Sequence, residues 1–294
     1  MGQWQNGRTA VTGYGGQLGT EICSQLGDRA IPLAESRLDL TDANAVRDCL
    51  TQLRPAAVIN AAAYTQVDRA ESDAETCFRI NAAAVETLAA VCRDLDCPLM
   101  QVSTDYVFGA DSERRVPYTE DDEPSPVNVY GQSKLAGEQA ARTWEKHFVV
   151  RTCGLYSLAA DGPVRGRNFV DTMLSLAESQ TSLKIVDDQR CTPSYVPHVA
   201  RAMIRLLDSG SFGTYHVTNL GSATWLEFAD QLFRQAGIEM SLVPTTTAEY
   251  GAPAPRAAYS VLDTTKFRNL GATDLPPWQD GLRDYLTAFQ LQAE

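Results

Sequence analysis

A glycine-rich turn near the N-terminus is the feature that most constrains what this chain can fold into. The apolar run 8–12 predicts a strand, a helix is expected over 17–26, and Gly13, Gly16 and Gly19 stand three residues apart at the junction. Glycine lets a backbone turn tightly and approach a pyrophosphate, and the start of a helix favours that anion. An ordinary tight turn would explain the glycines alone, but their place directly after a strand favours a dinucleotide site.

Strand-like and helical segments alternate through the first half of the chain. Further strands are predicted at 30–33, 56–60, 98–103 and 148–151, and helices at 41–53 (with Thr41 as the cap), 81–95 and 130–146. The run 56–60 has no polar alternation, as expected of a strand buried on both faces of a parallel sheet. This order of elements predicts an α/β fold, a doubly wound parallel sheet of Rossmann type.

The second half is less regular. Its predicted elements are helices over 168–178 and 196–207, a helix begun by a Thr224–Glu227 capping box, and a loop over 244–255. We therefore expect residues 1–150 to form the NAD(P)-binding domain and residues 151–294 to form a smaller, mainly substrate-binding domain. Some segments of the second part are expected to return to the Rossmann sheet.

Composition excludes several classes of partner. The chain carries 37 Asp and Glu against 25 Lys and Arg, a formal net charge of -12, which opposes binding to a nucleic-acid backbone. No apolar stretch approaches the ~20 residues of a membrane-spanning helix. Seven scattered cysteines without a C-x-x-C pair indicate reduced thiols and a cytoplasmic protein. No histidine has a second ligand at metal-binding spacing, so no metal site is predicted.

The residues after the second predicted strand bear on the choice of cofactor. A carboxylate there binds the ribose 2′-hydroxyl of NAD, whereas a cation binds the 2′-phosphate of NADP. Glu35 argues for NADH, while Ser36 and Arg37 favour NADPH, so NADPH is preferred and NADH stays open. Asp39 and Leu40 follow at a position suited to the adenine.

Tyr130 and Lys134 form a Y-x-x-x-K pattern on a predicted helix. Residues four apart share one helical face, so the phenol and the ammonium can enter the same cleft. An unperturbed tyrosine has a pKa of about 10, and a neighbouring cation lowers it. A lone pattern of this kind is more often an exposed pair. The run 103–108, however, lies at the carboxyl end of a predicted strand, where a hydroxyl such as that of Thr104 can donate to a substrate carbonyl.

Together these motifs make the chain resemble the extended short-chain dehydrogenases, and among them the reductases of 4-keto nucleotide sugars. The resemblance runs from Thr9 to about Tyr285. It rests on the segments 13–19, 38–42, 58–65, 67–71, 103–108 and 126–138, with later echoes at Arg256, 260–263 and 275–278.

The resemblance implies a catalytic triad of Thr104, Tyr130 and Lys134. Tyr130 would protonate the 4-keto oxygen of the sugar while the nicotinamide delivers hydride, Thr104 would polarise that oxygen, and Lys134 would tune the phenol and hold the ribose. The implied cofactor-binding residues are Gly13, Gly15, Gly16, Gln17, Leu18, Gly19, Ser36, Arg37, Asp39, Leu40, Ala63, Tyr64, Thr65, Tyr130 and Lys134. The implied substrate-binding residues are Thr104, Asp105, Asn168 and Arg256.

The implied reaction is the reduction of dTDP-4-dehydro-L-rhamnose to dTDP-L-rhamnose with NADPH or NADH, by a monomer or homodimer without nucleic-acid or membrane partners. A bridging Mg²⁺ stays open. Two other interpretations stay open as well: an epimerase, dehydratase or reductase of the same superfamily on another nucleotide sugar, and a non-catalytic regulatory subunit of this fold. Asn168 as a helix start and Arg256 as a solvated loop cation are the competing interpretations of those two residues.

One position departs from the pattern of this family. After the strand end at Arg151 and Thr152, the family usually carries an aromatic residue that packs on the sugar, and Gly154 stands in that place here. We therefore expect a sugar pocket that is wider, or one that another side chain closes.

Overall fold

Strands and helices alternate through the first half of the molecule in the predicted order. The computed structural model describes residues 7–158, 168–271 and 275–293. The first elements are β1 Thr9–Tyr14, α1 Gln17–Leu26, β2 Ala30–Ala34, α2 Ala43–Leu53, β3 Ala57–Asn60, α3 Val67–Ala70, α4 Ala74–Phe78, α5 Ala84–Asp94, β4 Leu99–Thr104, α6 Val129–Ala141 and β5 His147–Thr152. A π-helical turn, Arg79–Ala83, joins α4 to α5, so the helix predicted from residue 81 begins within a π turn.

The second half contains shorter strands between longer helices. Its elements are β6 Leu155–Tyr156, α7 Phe169–Ala177, β7 Ser182–Val186, β8 Arg190–Cys191, β9 Ser194–Tyr195, α8 Val196–Ser209, β10 Gly213–His216, β11 Ala223–Thr224, α9 Trp225–Ala236, β12 Ser241–Thr245, α10 Thr247–Tyr250, α11 Thr265–Arg268 and α12 Trp278–Ala293. The predicted capping box begins α9, with both Thr224–Glu227 bonds present. The loop predicted over 244–255 is wrong in its first part, because β12 pairs in parallel with β7 and α10 follows it.

Six parallel strands form the central sheet in the order β10-β5-β4-β3-β1-β2. All four residues of β3 are buried, as its uninterrupted apolar sequence predicts for a central strand. One apolar core joins α1 and α8 to the sheet, and a second core joins α2, α5 and α6 to it. Apolar side chains project from both faces of the sheet and must be shielded from water, and the two helical layers bury them. The predicted doubly wound α/β fold is confirmed.

A third apolar core lies in the second half of the chain. It is rich in aromatic rings, and its buried members include Tyr156, Phe228, Trp278 and Tyr285 from β6, α9 and α12. The strand β10 also belongs to this half, yet it pairs with β5 at one edge of the central sheet. The two halves therefore share a sheet as well as a cleft.

Two helix boundaries differ from the sequence predictions. Asp42, and not Thr41, caps α2, because its carboxylate accepts hydrogen bonds from the amides of Asn44 and Ala45, both at 3.0 Å. The Thr41 hydroxyl donates instead to Asp39, at 2.8 Å, and so is used outside the helix. The helix α6 ends at residue 141 rather than 146, since 142–146 continue as turns and bends.

Candidate active site

The glycine turn between β1 and α1 forms an open cradle. Gly13 and Gly15 have φ angles of +74° and +101°, in the region that favours glycine. A Cβ at Gly13 would lie 2.5 Å from the amide nitrogen of Ala62, whereas a Cβ at Gly15 would meet no described atom within 4 Å. Gly16 caps α1 without a side chain, and no acidic residue lies in the first turn of the helix. The turn therefore offers open backbone and the positive end of a helix dipole to an anion.

Leu18 and Gly19 are also predicted to bind the cofactor, but both contribute to packing: Leu18 has a buried side chain, and Gly19 lies where a side chain would not fit. Gly19 packs so closely on the carbonyl of Gly13 that a Cβ there would collide with it. The Leu18 side chain is buried in the core under α1. Of Leu18, only the backbone is therefore placed to face a cofactor.

Gln17 links the glycine turn to the second half of the chain. Its side-chain oxygen accepts hydrogen bonds from the amide of Ser157 at 2.9 Å and from the side chain of Asn168 at 3.1 Å. Asn168 also caps α7 by accepting from the amide of Asp171 at 3.0 Å, and it donates to Asp171 and to the carbonyl of Ser157. The predicted contact of Asn168 with a substrate diphosphate would require one of these bonds to break.

The segment after β2 carries the residues predicted to choose between the two cofactors. Ser36 and Arg37 are exposed, and the guanidinium of Arg37 donates to a backbone carbonyl of β2 at 3.3 Å. Asp39 accepts hydrogen bonds from the amide and the hydroxyl of Thr41, which lower the pKa of its carboxyl. Leu40 is half-buried against the core under α2. The exposed charges next to the strand are thus the carboxylate of Glu35 and the cation of Arg37, so the structure keeps both sequence arguments open, while Asp39 holds the turn.

The loop after β3 contains the predicted residues Ala63, Tyr64 and Thr65, and Asn81 holds it in place. The Asn81 side chain accepts from the amide of Tyr64 at 2.9 Å and donates to its carbonyl at 3.1 Å and to Ser133 on α6 at 2.9 Å. Asn81 lies in the π turn and is 1% exposed. Sequence reasoning missed this residue; the available signal was a lone polar residue in an otherwise apolar stretch of a predicted helix.

The three predicted catalytic residues lie together where β4 ends against α6. Thr104 is the last residue of β4, Tyr130 lies in the first turn of α6, and Lys134 lies one turn later. A Cβ at Gly131 would collide with the carbonyl of Tyr106, so glycine is what allows α6 to approach the turn after β4 this closely. The Thr104 hydroxyl acts on the Tyr130 phenol and lowers its pKa. The phenol and the strand-end alcohol therefore share one site.

Burial controls the protonation of Tyr130. Removal from solvent raises the pKa of its phenol well above the ordinary value, and the effect of Thr104, which lowers this pKa, offsets only part of the rise. The sequence argument expects Lys134 to lower this pKa, but the amine of Lys134 donates to the carbonyl of Val102 at 2.7 Å. A phenol that stays protonated at neutral pH is a proton donor, which is what the reduction of a ketone requires.

Lys134 is also buried, and its charge depends on its surroundings. Burial lowers the pKa of Lys134 to about 8, and the negative charge of Glu138 partly opposes that fall. Glu138 itself accepts from Arg151 at 2.9 and 2.8 Å, from Ser103 at 2.6 Å and from Arg142 at 2.8 Å. This buried cluster fastens α6 to β4 and β5 directly behind the catalytic residues.

Asp105 contributes a buried carboxyl next to the triad. It accepts hydrogen bonds from Ser260 at 2.5 Å, from Cys153 at 3.0 Å and from Thr104 at 3.1 Å. Burial raises the pKa of Asp105, and these hydrogen bonds hold it down. Since Ser260 comes from the second half of the chain, Asp105 joins the two walls of the cleft.

A cavity of about 150 Å³ opens beside Asp105 and is lined by residues from both halves, including Tyr106, Gly154, Trp225 and Arg256. Gly154 has a φ of +53°, and a Cβ there would lie 3.1 Å from the Cα of Pro193. The backbone at this position therefore disfavours any larger residue. The aromatic side chain on the second-half wall is Trp225, which packs on Phe169 with ring centroids 4.8 Å apart.

Arg256 reaches the same cavity from a loop of the second half. Its guanidinium donates to Asp68 on α3 at 2.8 Å and lies 5.9 Å from the ring centroid of Tyr106. Its side chain is 15% exposed, so the alternative of a solvated loop cation is wrong. The structure thus places a cation at the cavity mouth, already paired with a carboxylate.

The structure also bears on metals and membranes. Across residues 7–158, 168–271 and 275–293, no group of three or more His, Cys, Asp or Glu side chains is placed to hold a metal ion. In the same described part, no helix has the length and apolarity needed to cross a bilayer.

Comparison with known proteins gives one family match and several close relatives. The family model described as the RmlD substrate binding domain matches residues 7–291. The spore coat polysaccharide biosynthesis protein SpsK of Bacillus subtilis is 37% identical over 283 residues, covering 95% of this chain and 96% of its own. The dTDP-4-dehydrorhamnose reductase of Mycolicibacterium smegmatis is 37% identical over 287 residues, covering 96% of this chain and 85% of its own.

A solved structure extends the similarity to three dimensions. The dTDP-4-dehydrorhamnose reductase of Bacillus anthracis, crystallised in complex with NADP, superposes with a TM-score of 0.91 at 35% identity. The match covers 96% of this chain and 99% of that one. The likeness therefore includes both halves of the molecule and the cleft between them.

Proposed function

The chain belongs to the family of the RmlD substrate binding domain, and from this premise we propose that it is an NADPH-dependent reductase of dTDP-4-dehydro-L-rhamnose that yields dTDP-L-rhamnose. One observation carries the proposal. Thr104, Tyr130 and Lys134 come together where β4 ends against the start of α6, at the sheet edge where the open glycine turn also lies. A binding module would have no need to bury a phenol and an ammonium together, because burying such groups costs free energy.

The residues present fit a dinucleotide. Gly15 leaves open backbone, the start of α1 is uncapped by any side chain, and Lys134 stands further along the same edge. NADPH, when bound, supplies the hydride that the carbonyl carbon accepts. Tyr130 then gives its proton to the carbonyl oxygen, so the ketone gains one hydride and one proton and becomes an alcohol.

Thr104 and Lys134 both lower the activation barrier of that proton transfer, Thr104 at the proton-accepting oxygen and Lys134 at the proton-donating phenol. The Thr104 hydroxyl, which donates to Asp105 in this structure, turns to donate its hydrogen bond to the same carbonyl oxygen and stabilises the charge that develops there. The ammonium of Lys134 grips the ribose hydroxyls and stabilises the phenolate that Tyr130 leaves behind. Because the site is buried, these interactions are stronger than they would be in water.

The choice of NADPH over NADH rests on the segment after β2. Ser36 and Arg37 are exposed there, and Arg37 offers a guanidinium to a 2′-phosphate. The relative from Bacillus anthracis was crystallised with NADP, which supports the same choice. Comparing kcat/KM for NADPH and NADH tests it, and measuring turnover with and without EDTA tests whether Mg²⁺ takes part.

The remaining proposals concern the substrate and the whole molecule. Asp105 contacts the sugar, and Arg256 and Asn168 serve the diphosphate, with Arg256 exchanging Asp68 for a phosphate oxygen. Residues 1–150 bind the cofactor, while 151–294 mainly bind the substrate and lend β10 to the sheet. The protein acts in the cytoplasm, in keeping with its free cysteines, as a monomer or homodimer whose mass light scattering can measure.

Loss of NADPH absorbance with dTDP-4-dehydro-L-rhamnose tests the function directly. The wild-type protein should turn over, and Tyr130→Phe should lose about 10²–10⁴-fold in kcat, the usual contribution of a general acid. Tyr215→Phe, in a buried tyrosine of β10 away from the triad, is the matched control and should keep its activity. Equal rates in wild type and Tyr130→Phe would contradict the proposal, as would purified protein that retains NAD through dialysis, since a reductase must exchange its cofactor.

A further inference from the structure

A row of three buried polar side chains crosses the central sheet near its carboxyl edge. Thr12 on β1 is in register with Asn60 on β3, and Asn60 is in register with Gln101 on β4. Each of the three residues is 1% exposed. We call them the Thr12–Asn60–Gln101 row.

Hydrogen bonds connect the row end to end. Thr12 Oγ1 donates to Asn60 Oδ1 at 2.5 Å, and Asn60 Nδ2 donates to Gln101 Oε1 at 2.7 Å. Gln101 Nε2 then donates to the carbonyl oxygen of Val102 at 2.8 Å. That same oxygen accepts the amine of Lys134 at 2.7 Å. The row therefore ends on the atom that holds the catalytic lysine.

The other members of the row touch the segments predicted to bind the cofactor. Thr12 directly precedes Gly13, the first glycine of the turn. Asn60 Oδ1 also accepts from the amide of Ala62 at 3.3 Å, at the start of the loop that contains Tyr64. The glycine turn, the loop after β3 and Lys134 on α6 are far apart in the sequence, yet each adjoins or contacts this one hydrogen-bonded network.

Nothing in the packing of a parallel sheet requires polar side chains at these positions. Apolar residues of similar shape would fill a buried strand without the cost of desolvating amides and a hydroxyl. A fully satisfied buried network fixes relative positions more narrowly than apolar packing does, because each bond tolerates little change in distance or angle. The bond directions are also fixed, since each link in the row passes from a donor to an acceptor.

We propose that the Thr12–Asn60–Gln101 row sets the spacing between the glycine turn, where the pyrophosphate binds, and Lys134, where the ribose binds. Gln101 is its central positioning residue, because it alone joins Asn60 to the carbonyl that holds Lys134. This inference rests on the proposed function, since it takes the dinucleotide to lie along this edge of the sheet.

The affinity for NADPH, measured by its fluorescence in the absence of sugar, is the readout. Gln101→Met keeps the side-chain length but removes both bonds, and it should raise the Kd for NADPH by roughly tenfold, equivalent to about one lost buried hydrogen bond. Thr12→Val removes one bond and leaves every buried donor paired, and it should raise the Kd about threefold. The double variant should have about the same Kd for NADPH as Gln101→Met alone. Once Gln101 no longer connects Asn60 to the carbonyl of Val102, loss of the Thr12 bond should not affect Lys134 further.

Trp144→Phe is the matched control. It removes the buried hydrogen bond from Trp144 Nε1 to the carbonyl of Cys97, 2.9 Å long, which lies just before the opposite end of β4. Its cost to unfolding should resemble that of Gln101→Met, yet its Kd for NADPH should stay within about twofold of wild type. A structural role alone would not separate these two variants.

Three results would overturn the inference: a Kd for Gln101→Met equal to that of wild type, a Trp144→Phe variant that binds NADPH as weakly, or effects of Thr12→Val and Gln101→Met that multiply. If Gln101→Met does not fold, Thr12→Val carries the test, and an unchanged Kd in that variant overturns the inference. The proposed function fails separately. Suppose that the Kd values of wild type and variants follow the expected pattern but the wild-type protein reduces no dTDP-4-keto sugar. That result would contradict the proposed function and would not contradict the inference about the Thr12–Asn60–Gln101 row.

Discussion

The charge of Lys134 provides the sharpest test of the site, because the structure predicts where on the pH scale it is lost. Burial lowers the pKa of Lys134 to about 8. The ammonium is therefore present below that pH and disappears as pH rises through it. In the proposed mechanism the charged form binds the ribose and stabilises the phenolate of Tyr130, so activity should decline on the alkaline side with an apparent pKa of about 8.

The size of the decline follows from the fraction of charged amine. At pH 7 about nine tenths of the Lys134 amines are protonated, and at pH 9 slightly less than one tenth are, so kcat/KM should fall about tenfold between these two values. Tyr130 adds nothing to this change, because burial raises its pKa well above the range of the assay. Glu138→Gln should move the decline to lower pH, because it removes the negative charge that favours the ammonium.

The assay is the initial rate of NADPH oxidation between pH 6 and 9.5 at constant ionic strength, with the dTDP-4-keto sugar saturating. The parameter is kcat/KM for NADPH, which reports the groups of the protein before the cofactor binds. Lys134→Arg keeps a positive charge throughout, so its profile should lose the alkaline decline even if its plateau is lower. Lys146→Arg, at a partly exposed lysine paired with Asp96 at 2.6 Å, should keep the decline.

Two results would refute this reasoning. One is a wild-type profile that stays level to pH 9.5. The other is a Lys134→Arg profile with the same decline as wild type, because the titrating group would then be a different residue.

Three further predictions concern the buried ion pair, the cofactor and the sugar pocket. Arg151→Met should lower the free energy of unfolding by about 3–5 kcal/mol in urea titrations, since it leaves the buried carboxylate of Glu138 short of two hydrogen bonds, and adding Glu138→Leu should recover most of that loss. Arg37→Ala should raise the KM for NADPH and leave that for NADH unchanged; an equal change in both would remove this residue from 2′-phosphate binding. Gly154→Ala should lower the free energy of unfolding by about 1–2 kcal/mol because of its φ of +53°, and a neutral result in the same titration would show that the turn relaxes.

A buried ion pair behind α6 holds that helix against β5, next to the predicted catalytic residues. Glu138 is fully buried and Arg151 is 1% exposed, and the two share two hydrogen bonds. The neighbouring His216 is kept neutral, because burial and the positive charge of Arg151 together lower its pKa to about 3. A neutral ring nitrogen therefore faces Arg151 at 3.3 Å, so His216 adds no positive charge to the two arginines that already bind Glu138.

Local sequence was enough for the features that depend on nearest neighbours. The alternation of strands and helices, the glycine turn and the capping box at Thr224 all follow from short-range steric and hydrogen-bonding rules, and the structure contains each of them. The pairing of Tyr130 with Lys134 follows from helical periodicity alone. Errors arose where a distant partner decided the outcome, as in β12, which exists as a strand because β7 lies beside it.

What only the tertiary structure decided is how these pieces meet and which protons they hold. The sequence argument gives Tyr130 a lowered pKa, yet burial raises it, because desolvation depends on atoms brought in from every side. The hydrogen-bond partners of Asn81 and Gln101 likewise cannot be read along the chain, since each bonds to residues on other strands or helices. Spacing along a sequence determines which side chains share a face; the packing of the whole fold determines their distances, their solvent and therefore their charge.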